Sequence, residues 1–205
     1  SYRWRWRGRQ VIQYPTDLMQ FQEIVHETAP EVVVEVGVAH GGLTLFLLDV
    51  LNRCRVVGGC VVAVERGINP GTIGALAAYT RGDSPTLFLR EGDSTSSLMV
   101  SMVRDLCDGK RTMVILDSDH HCDHVLAELR AYGPCVTSGC YLVVCDTVIA
   151  ECPQGITTLQ GWDPEDNPAA AVRRYLEECS RFVVDTAIDE KLLISACPGG
   201  YLKCL

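Results

Sequence analysis

Five short runs of β-branched and other apolar residues, alternating with helical patterns, constrain this chain more than any other feature. The runs are EVVVEVG (31–37), CVVAVE (60–65), TLFLREGD (86–93), RTMVILD (111–117) and CYLVVCD (140–146). They are nearly continuously apolar, the pattern of strands buried on both faces of a parallel sheet. Thr16–Thr28, Gly42–Asn52, Gly71–Tyr79, Ser96–Cys107 and Asp123–Tyr132 carry helical periodicity, with Thr16 placed to cap the first. Repeated strand–helix alternation predicts a doubly wound α/β sheet.

After a further helix, Ala169–Cys179, come two strand-like runs, RFVVDTAID and EKLLISACPGGYLKC, joined by an Asp-rich turn. So short a connection requires antiparallel pairing, because parallel strands need a crossover. The expectation is a mostly parallel seven-stranded sheet closed by an antiparallel C-terminal hairpin. Residues 1–30 read as an arm and helix packed on one domain spanning 31–205. A chain of 205 residues, 47% of them hydrophobic, suffices for one such core.

A net charge of −8 argues against a nucleic-acid surface on the body of the domain. No run approaches the roughly 20 apolar residues of a membrane span, and SYRWRWRGRQ lacks the apolar stretch of a secretory signal. Eleven cysteines without a CxxC pair read as reduced, buried thiols of a cytoplasmic protein, not as a disulfide framework or zinc site. In the arm, Arg3, Arg5, Arg7 and Arg9 alternate with Trp4 and Trp6. That pattern suits a packing strap, a homo-oligomer contact or a lid over an anionic or aromatic ligand.

The motif Glu35-Val-Gly37-Val-Ala-His40-Gly41-Gly42 follows a strand and opens a helix. Glycines there let the backbone turn sharply and let a ligand lie against the main chain, with a helix N-terminus behind it. Its spacing is not GxGxxG and suits a compact nucleotide bearing an amino-acid group, whose ammonium Glu35 could accept directly or through water. Glu65 ends the second strand, where such folds place an acid for ribose hydroxyls. Gly92, Asp93 and Ser94 end the third, on the adenine side. Three ligand-compatible turns thus converge on one sheet edge.

The second constellation is Asp117-Ser118-Asp119-His120-His121-Cys122-Asp123-His124, after the fourth strand, with Cys145-Asp146-Thr147 after the fifth. Carboxylates at neighbouring strand ends can share a hard cation, which would orient a substrate hydroxyl and lower its pKa. His120 or His121 could then take the proton. Alternatively, Asp123 caps the next helix while His121 and His124 lie on its face. Glu151–Pro168 is rich in Gly, Pro and Asp and contains Trp162, a candidate active-site loop.

Over nearly its whole length the chain resembles the cephalosporin hydroxylase / rhamnosyl O-methyltransferase family. The resemblance is carried by QYPTDLMQFQEIVHET, VEVGVAHGGLTLFL, EGDSTS, LDSDHHCDHVLAELRAYGPCV, GCYLVVCDT, NPAAAV and PGGYLKC. It implies a Rossmann-like class I methyltransferase fold, S-adenosylmethionine as methyl donor, often Mg²⁺, and O-methylation of a hydroxyl on a sugar or natural product. Carried over by position, Glu35, Gly37 and Gly41 fall on the cofactor turn, Glu65 on the ribose acid, Asp93 and Ser94 on the adenine side, and Asp119 and Asp146 on metal ligands. Read from the residues themselves, His40, Gly42, Gly92 and Asp117 join the cofactor candidates, Cys145 the metal candidates, and Asp119, His120 and His121 are the catalytic candidates. The family's Glu-Asp-Thr is here Cys145-Asp146-Thr147, and sulfur suits Mg²⁺ poorly; Asp117 could compensate. Rival readings are a metal-dependent oxygenase, suggested by the His/Asp cluster, and a non-catalytic S-adenosylmethionine-binding protein.

Overall fold

The computed structural model describes residues 3–54, 56–79, 85–153, 163 and 165–205. An arm of two short antiparallel strands, β1 (Arg5–Trp6) and β2 (Arg9–Gln10), leads into α1 (Pro15–Thr28). The alternation then runs β3 (Val32–Val36), α2 (Gly42–Arg53), β4 (Cys60–Glu65), α3 (Pro70–Tyr79), β5 (Thr86–Glu91), α4 (Ser97–Cys107), β6 (Thr112–Leu116), α5 (Cys122–Tyr132) and β7 (Tyr141–Val144). The chain closes with α6 (Pro168–Glu178), β8 (Phe182–Val184), α7 (Thr186–Lys191) and β9 (Tyr201–Cys204).

The seven-stranded sheet has the order β5-β4-β3-β6-β7-β9-β8. β3 to β7 are parallel, and β9 runs antiparallel to both β7 and β8. The Rossmann-like sheet with an antiparallel C-terminal hairpin therefore stands. Its joint differs from the expected turn: Ile188 is buried, so TAIDEK folds as α7 instead, and residues 192–200 follow before β9.

β3 explains why the centre is apolar on both faces. Val32, Val33, Val34 and Val36 are all buried there between parallel neighbours and covering helices. Each such side chain contributes roughly 1.5–3 kcal/mol when removed from water. α2 is nearly as enclosed, with Gly42 through Leu51 all buried. The arm crosses it: Trp6 sets its edge on Phe46, with ring centroids 5.0 Å apart, and its indole N–H donates to Asp49 at 2.7 Å. Arg7 forks onto the same carboxylate at 2.7 and 2.9 Å. Arg7 and Gly8, at φ 46° and 79°, make the two-residue turn that right-twisted strands prefer.

α1 opens at Pro15, a ring preset to helical φ, not on a Thr16 cap; the Thr16 hydroxyl donates to the Ile194 carbonyl. One residue on, buried Asp17 accepts from Ser195 Oγ, the Ala196 N–H and Tyr201 Oη, docking α1 on the C-terminal segment. The eleven cysteines are all unbridged, seven of them buried.

Candidate active site

Strand connections leave β3 toward β4 on one side and resume at β6 on the other, so a crevice opens at the carboxyl ends of β3 and β6. Gly37 forms its floor at φ +99°, where a Cβ would stand 2.1 Å from the Asp117 carbonyl oxygen. Only glycine permits that approach. Gly41 (φ +75°) closes the same turn, whereas Gly42 faces the arm, its missing Cβ leaving room for the Gln10 carbonyl. His40 is exposed, and its carbonyl accepts from Arg9 Nε at 2.9 Å.

Beneath the turn lies Glu35, flanked by Val34 and Val36 and fully buried, with neither carboxylate oxygen hydrogen-bonded. Burial pushes its carboxyl up to about 8. A buried acid with the Thr44 hydroxyl beside it but no cation fits an ammonium brought to it, directly or through water. Glu65 stands at the other lip. Its Oε2 accepts the N–H groups of Val38 and Ala39, both at 2.9 Å, and Oε1 accepts from Arg66 N. It thereby ties β4 to the glycine turn while lining a small 70 Å³ pocket shared with Gly92, Asp93, Ser94, Ser118, Asp119 and His124. Asp93 is exposed, its carboxylate held below the ordinary range by the Thr95 N–H and hydroxyl. The hydroxyl of Ser94 is turned inward, donating to Glu128 Oε1 at 2.5 Å.

A larger cavity of about 480 Å³ adjoins the turn, walled in part by Ile12, Gln13, Tyr14, Asp117, His120, Asp146 and Ile149. Here the three histidines separate. His120 Nε2 meets Asp146 Oδ2 at 2.8 Å, His121 Nδ1 meets Asp119 Oδ1 at 2.7 Å, and His124 Nε2 meets Glu128 Oε1 at 3.1 Å. The Asp146 hydrogen bond raises His120 above the usual histidine value, outweighing burial. Asp146 itself sits at φ 56°, a left-handed conformation Asp tolerates better than most side chains. Burial raises Asp119, but the His121 backbone and ring donors outweigh it and leave the acid below its usual value. Asp123 does not cap α5; it pairs with Arg174, and Asp166 accepts the Cys122 N–H instead.

The residues expected as metal ligands take different partners here. Asp119 lines the small pocket and engages His121, whereas Asp146 lines the large cavity and engages His120. Cys145 is buried, its thiol raised far above the usual range by a hydrogen bond with Cys197 and by burial. Among the described residues no group of three or more His, Cys, Asp or Glu side chains is arranged to hold a metal ion. Asp117 lines the same cavity as Asp146: burial, then the neighbouring Asp146 and Glu35, raise its carboxyl, and Gln13 Nε2 donates to it at 2.8 Å.

Two residues escaped the sequence reading. Gln13 is a buried polar side chain just ahead of α1, with no periodicity to mark it. Glu128 had a signal: an acid between Val125, Leu129 and Tyr132 on the apolar face of α5. It is fully buried and joins Ser94, Ser118 and His124. The Arg/Trp arm resolves as a strap on α2 and α3, through Arg7, Trp6 and an Arg9–Thr72 bond of 3.0 Å. Trp162 and most of the Gly/Pro-rich loop lie outside the described residues.

The fold and its glycine-turn crevice are those of a class I methyltransferase. Residues 1–205 match the rhamnosyl O-methyltransferase/CmcI family. The rhamnosyl O-methyltransferase of Mycobacterium tuberculosis (strain ATCC 25618 / H37Rv) is 30% identical over 193 residues, 91% of this chain and 72% of that protein. Among solved structures, one described as cmcI-D160 Mg-SAM superposes with TM-score 0.67 at 15% identity, covering all of this chain and 77% of that one. An O-methyltransferase from Bacillus cereus in complex with SAH gives TM-score 0.59 at 17% identity, covering 83% and 72%. The chain belongs to the rhamnosyl O-methyltransferase/CmcI family and is an S-adenosylmethionine-dependent O-methyltransferase.

Proposed function

We propose that this enzyme methylates a hydroxyl of a sugar carried on an apolar aglycone, with His120 as the base and Asp146 holding it. The observation that carries this reading is the His120–Asp146 pair on the wall of the cavity that begins at the glycine turn. When bound, S-adenosylmethionine supplies a methyl group on a sulfonium, open to displacement by an oxygen in line with the S–CH₃ bond.

The chain's own residues do the rest. Gly37 lets the cofactor lie against the main chain, Glu35 receives its ammonium, and Glu65 with the Gly92–Ser94 turn borders the nucleoside. Ile12, Tyr14, Val148 and Ile149 give the larger cavity apolar walls that fit an aglycone and exclude water. His120 donates its Nε2–H to Asp146 and accepts the hydroxyl proton at Nδ1, directly or through a bridging water, and the Asp146 carboxylate stabilises the imidazolium that results. Alignment and desolvation supply most of the acceleration. The relatives' rhamnosyl name supports a deoxysugar acceptor.

The oxygenase reading needs two imidazoles and a carboxylate on one face of an iron. His120 and His121 instead turn to different carboxylates. The deciding experiment is titration calorimetry of S-adenosylmethionine and S-adenosylhomocysteine, followed by turnover on rhamnosides of increasing aglycone length. Binding of both and methylation of a rhamnoside support the proposal; no binding sinks it, and binding without turnover on any glycoside overturns the acceptor.

A further inference from the structure

We infer that this active site works without a divalent cation, because the Gln13 amide is seated in the donor set that would otherwise coordinate one. The inference rests on the methyl-transfer reading above and concerns the same cleft. Asp117 after β6, and Cys145 and Asp146 after β7, are the positions from which neighbouring strand ends could share a hard ion. Gln13 Nε2 lies 2.8 Å from Asp117 Oδ2 and 3.8 Å from Cys145 Sγ, directing its N–H groups where an ion's charge would act. Oδ2 of Asp146 is engaged by His120 at 2.8 Å. A small hard cation wants about six oxygen ligands in a tight octahedron. Here one carboxylate oxygen is met by an amide donor, another is shared with an imidazole, and the third position is sulfur, a poor ligand for such an ion.

Gln13 is carried on a stretch of chain held at both ends. It is buried, and the chain on either side is fixed. Upstream, Arg7 and Trp6 grip Asp49, Arg9 holds the His40 carbonyl, and the Gln10 carbonyl sits where a Cβ on Gly42 would be. Downstream, Pro15 opens α1 and Asp17 anchors it to Ser195, Ala196 and Tyr201. The arm therefore does more than strap α2. It delivers a neutral donor to the carboxylates, and the proton-accepting work falls to His120 alone.

The test uses Mn²⁺ as a spectroscopic probe of the ion site. The full chain, saturated with S-adenosylhomocysteine, is titrated while the electron paramagnetic resonance signal of free Mn²⁺ is followed. The wild type should leave that signal undiminished, and S-adenosylhomocysteine should bind equally well in Mg²⁺ and in EDTA. The double variant Gln13→Ala/Cys145→Glu should take up one Mn²⁺, lost again when Asp146→Asn is added. Stoichiometric micromolar Mn²⁺ binding by the wild type, abolished by Asp117→Asn, would overturn the inference. So would a double variant that still binds S-adenosylhomocysteine, and is therefore folded, but takes up no ion. Failure of the wild type to bind S-adenosylhomocysteine would instead strike the functional reading itself.

Discussion

His120 Nε2 lies 2.8 Å from Asp146 Oδ2, joining the turn after β6 to the turn after β7 across the mouth of the larger cavity. The carboxylate favours the imidazolium, so His120 gives up its proton at a higher pH than an ordinary histidine. A base must be neutral to act, and the rate should therefore rise as pH passes upward through that raised value. Asp146→Asn removes the charge and should move the limb to lower pH while lowering the plateau. His120→Ala should cost about 10²–10⁴-fold in kcat, the usual worth of a positioned base, with S-adenosylhomocysteine affinity little changed. A pH–rate profile beside titration calorimetry separates the two effects; equal loss of turnover and affinity would remove His120 from its role.

Gly37 and Gly109 both have positive φ, +99° and +67°, yet differ in their surroundings. A Cβ at Gly109 meets nothing within 4 Å, so Gly109→Ala should cost only the backbone strain, about 1–2 kcal/mol, or roughly 2–8 °C in Tm. At Gly37 the same methyl would stand 2.1 Å from the Asp117 carbonyl, forcing β3 and β6 apart at the crevice. Gly37→Ala should destabilise more than this and abolish S-adenosylhomocysteine binding. Thermal unfolding and calorimetry on the two variants make the comparison.

Strand and helix positions were legible because burial on both faces of a parallel sheet writes itself as unbroken apolar runs such as CVVAV in β4. The turns at Gly37 and Glu65 were legible for a related reason: few residues tolerate such backbone approaches at strand ends. The joint between β8 and β9 was misread because DTAIDEK carries turn-forming acids, and nothing local says that Ile188 finds a core to bury in. Partner choice at the second constellation was equally hidden. Sequence adjacency made Asp119, His120 and His121 look like one unit, but consecutive residues on an extended turn face different ways, so His120 and His121 find separate acids. Gln13 reaches Asp117 across 104 residues of separation, a contact created only by the path of the arm.

Asp17 offers a test of how the N-terminal helix is held. Its carboxylate accepts three donors, Ser195 Oγ at 2.6 Å, the Ala196 N–H at 2.8 Å and Tyr201 Oη at 2.7 Å. Asp17→Ala leaves these groups unsatisfied beside a small void. A loss of about 3 kcal/mol is expected from stranding such donors. For a chain of this size that corresponds to roughly 6–12 °C in Tm. Denaturant unfolding should show the lower midpoint, and an unchanged one would mean that α1 is held by its apolar face, Phe21, Ile24 and Val25, alone.

Glu35 should report cofactor binding through its proton. In the free protein burial raises its carboxyl to about 8, so at neutral pH the side chain is mostly protonated. An ammonium brought to it favours the carboxylate, lowers its pKa and expels the proton. Binding should therefore release a proton at neutral pH, up to one per site. The release should fade as pH climbs through 8, where the free protein has already lost it, and again at strongly acid pH, where both states keep it. Calorimetric titration of S-adenosylhomocysteine in two buffers of different ionisation enthalpy reads this number directly. Glu35→Gln should abolish the buffer dependence and weaken binding, because an amide cannot answer the ammonium's charge. Asp117 is also raised, so a buffer dependence that survives in Glu35→Gln would transfer the released proton to Asp117 and leave Glu35 as a neutral prop beneath the turn.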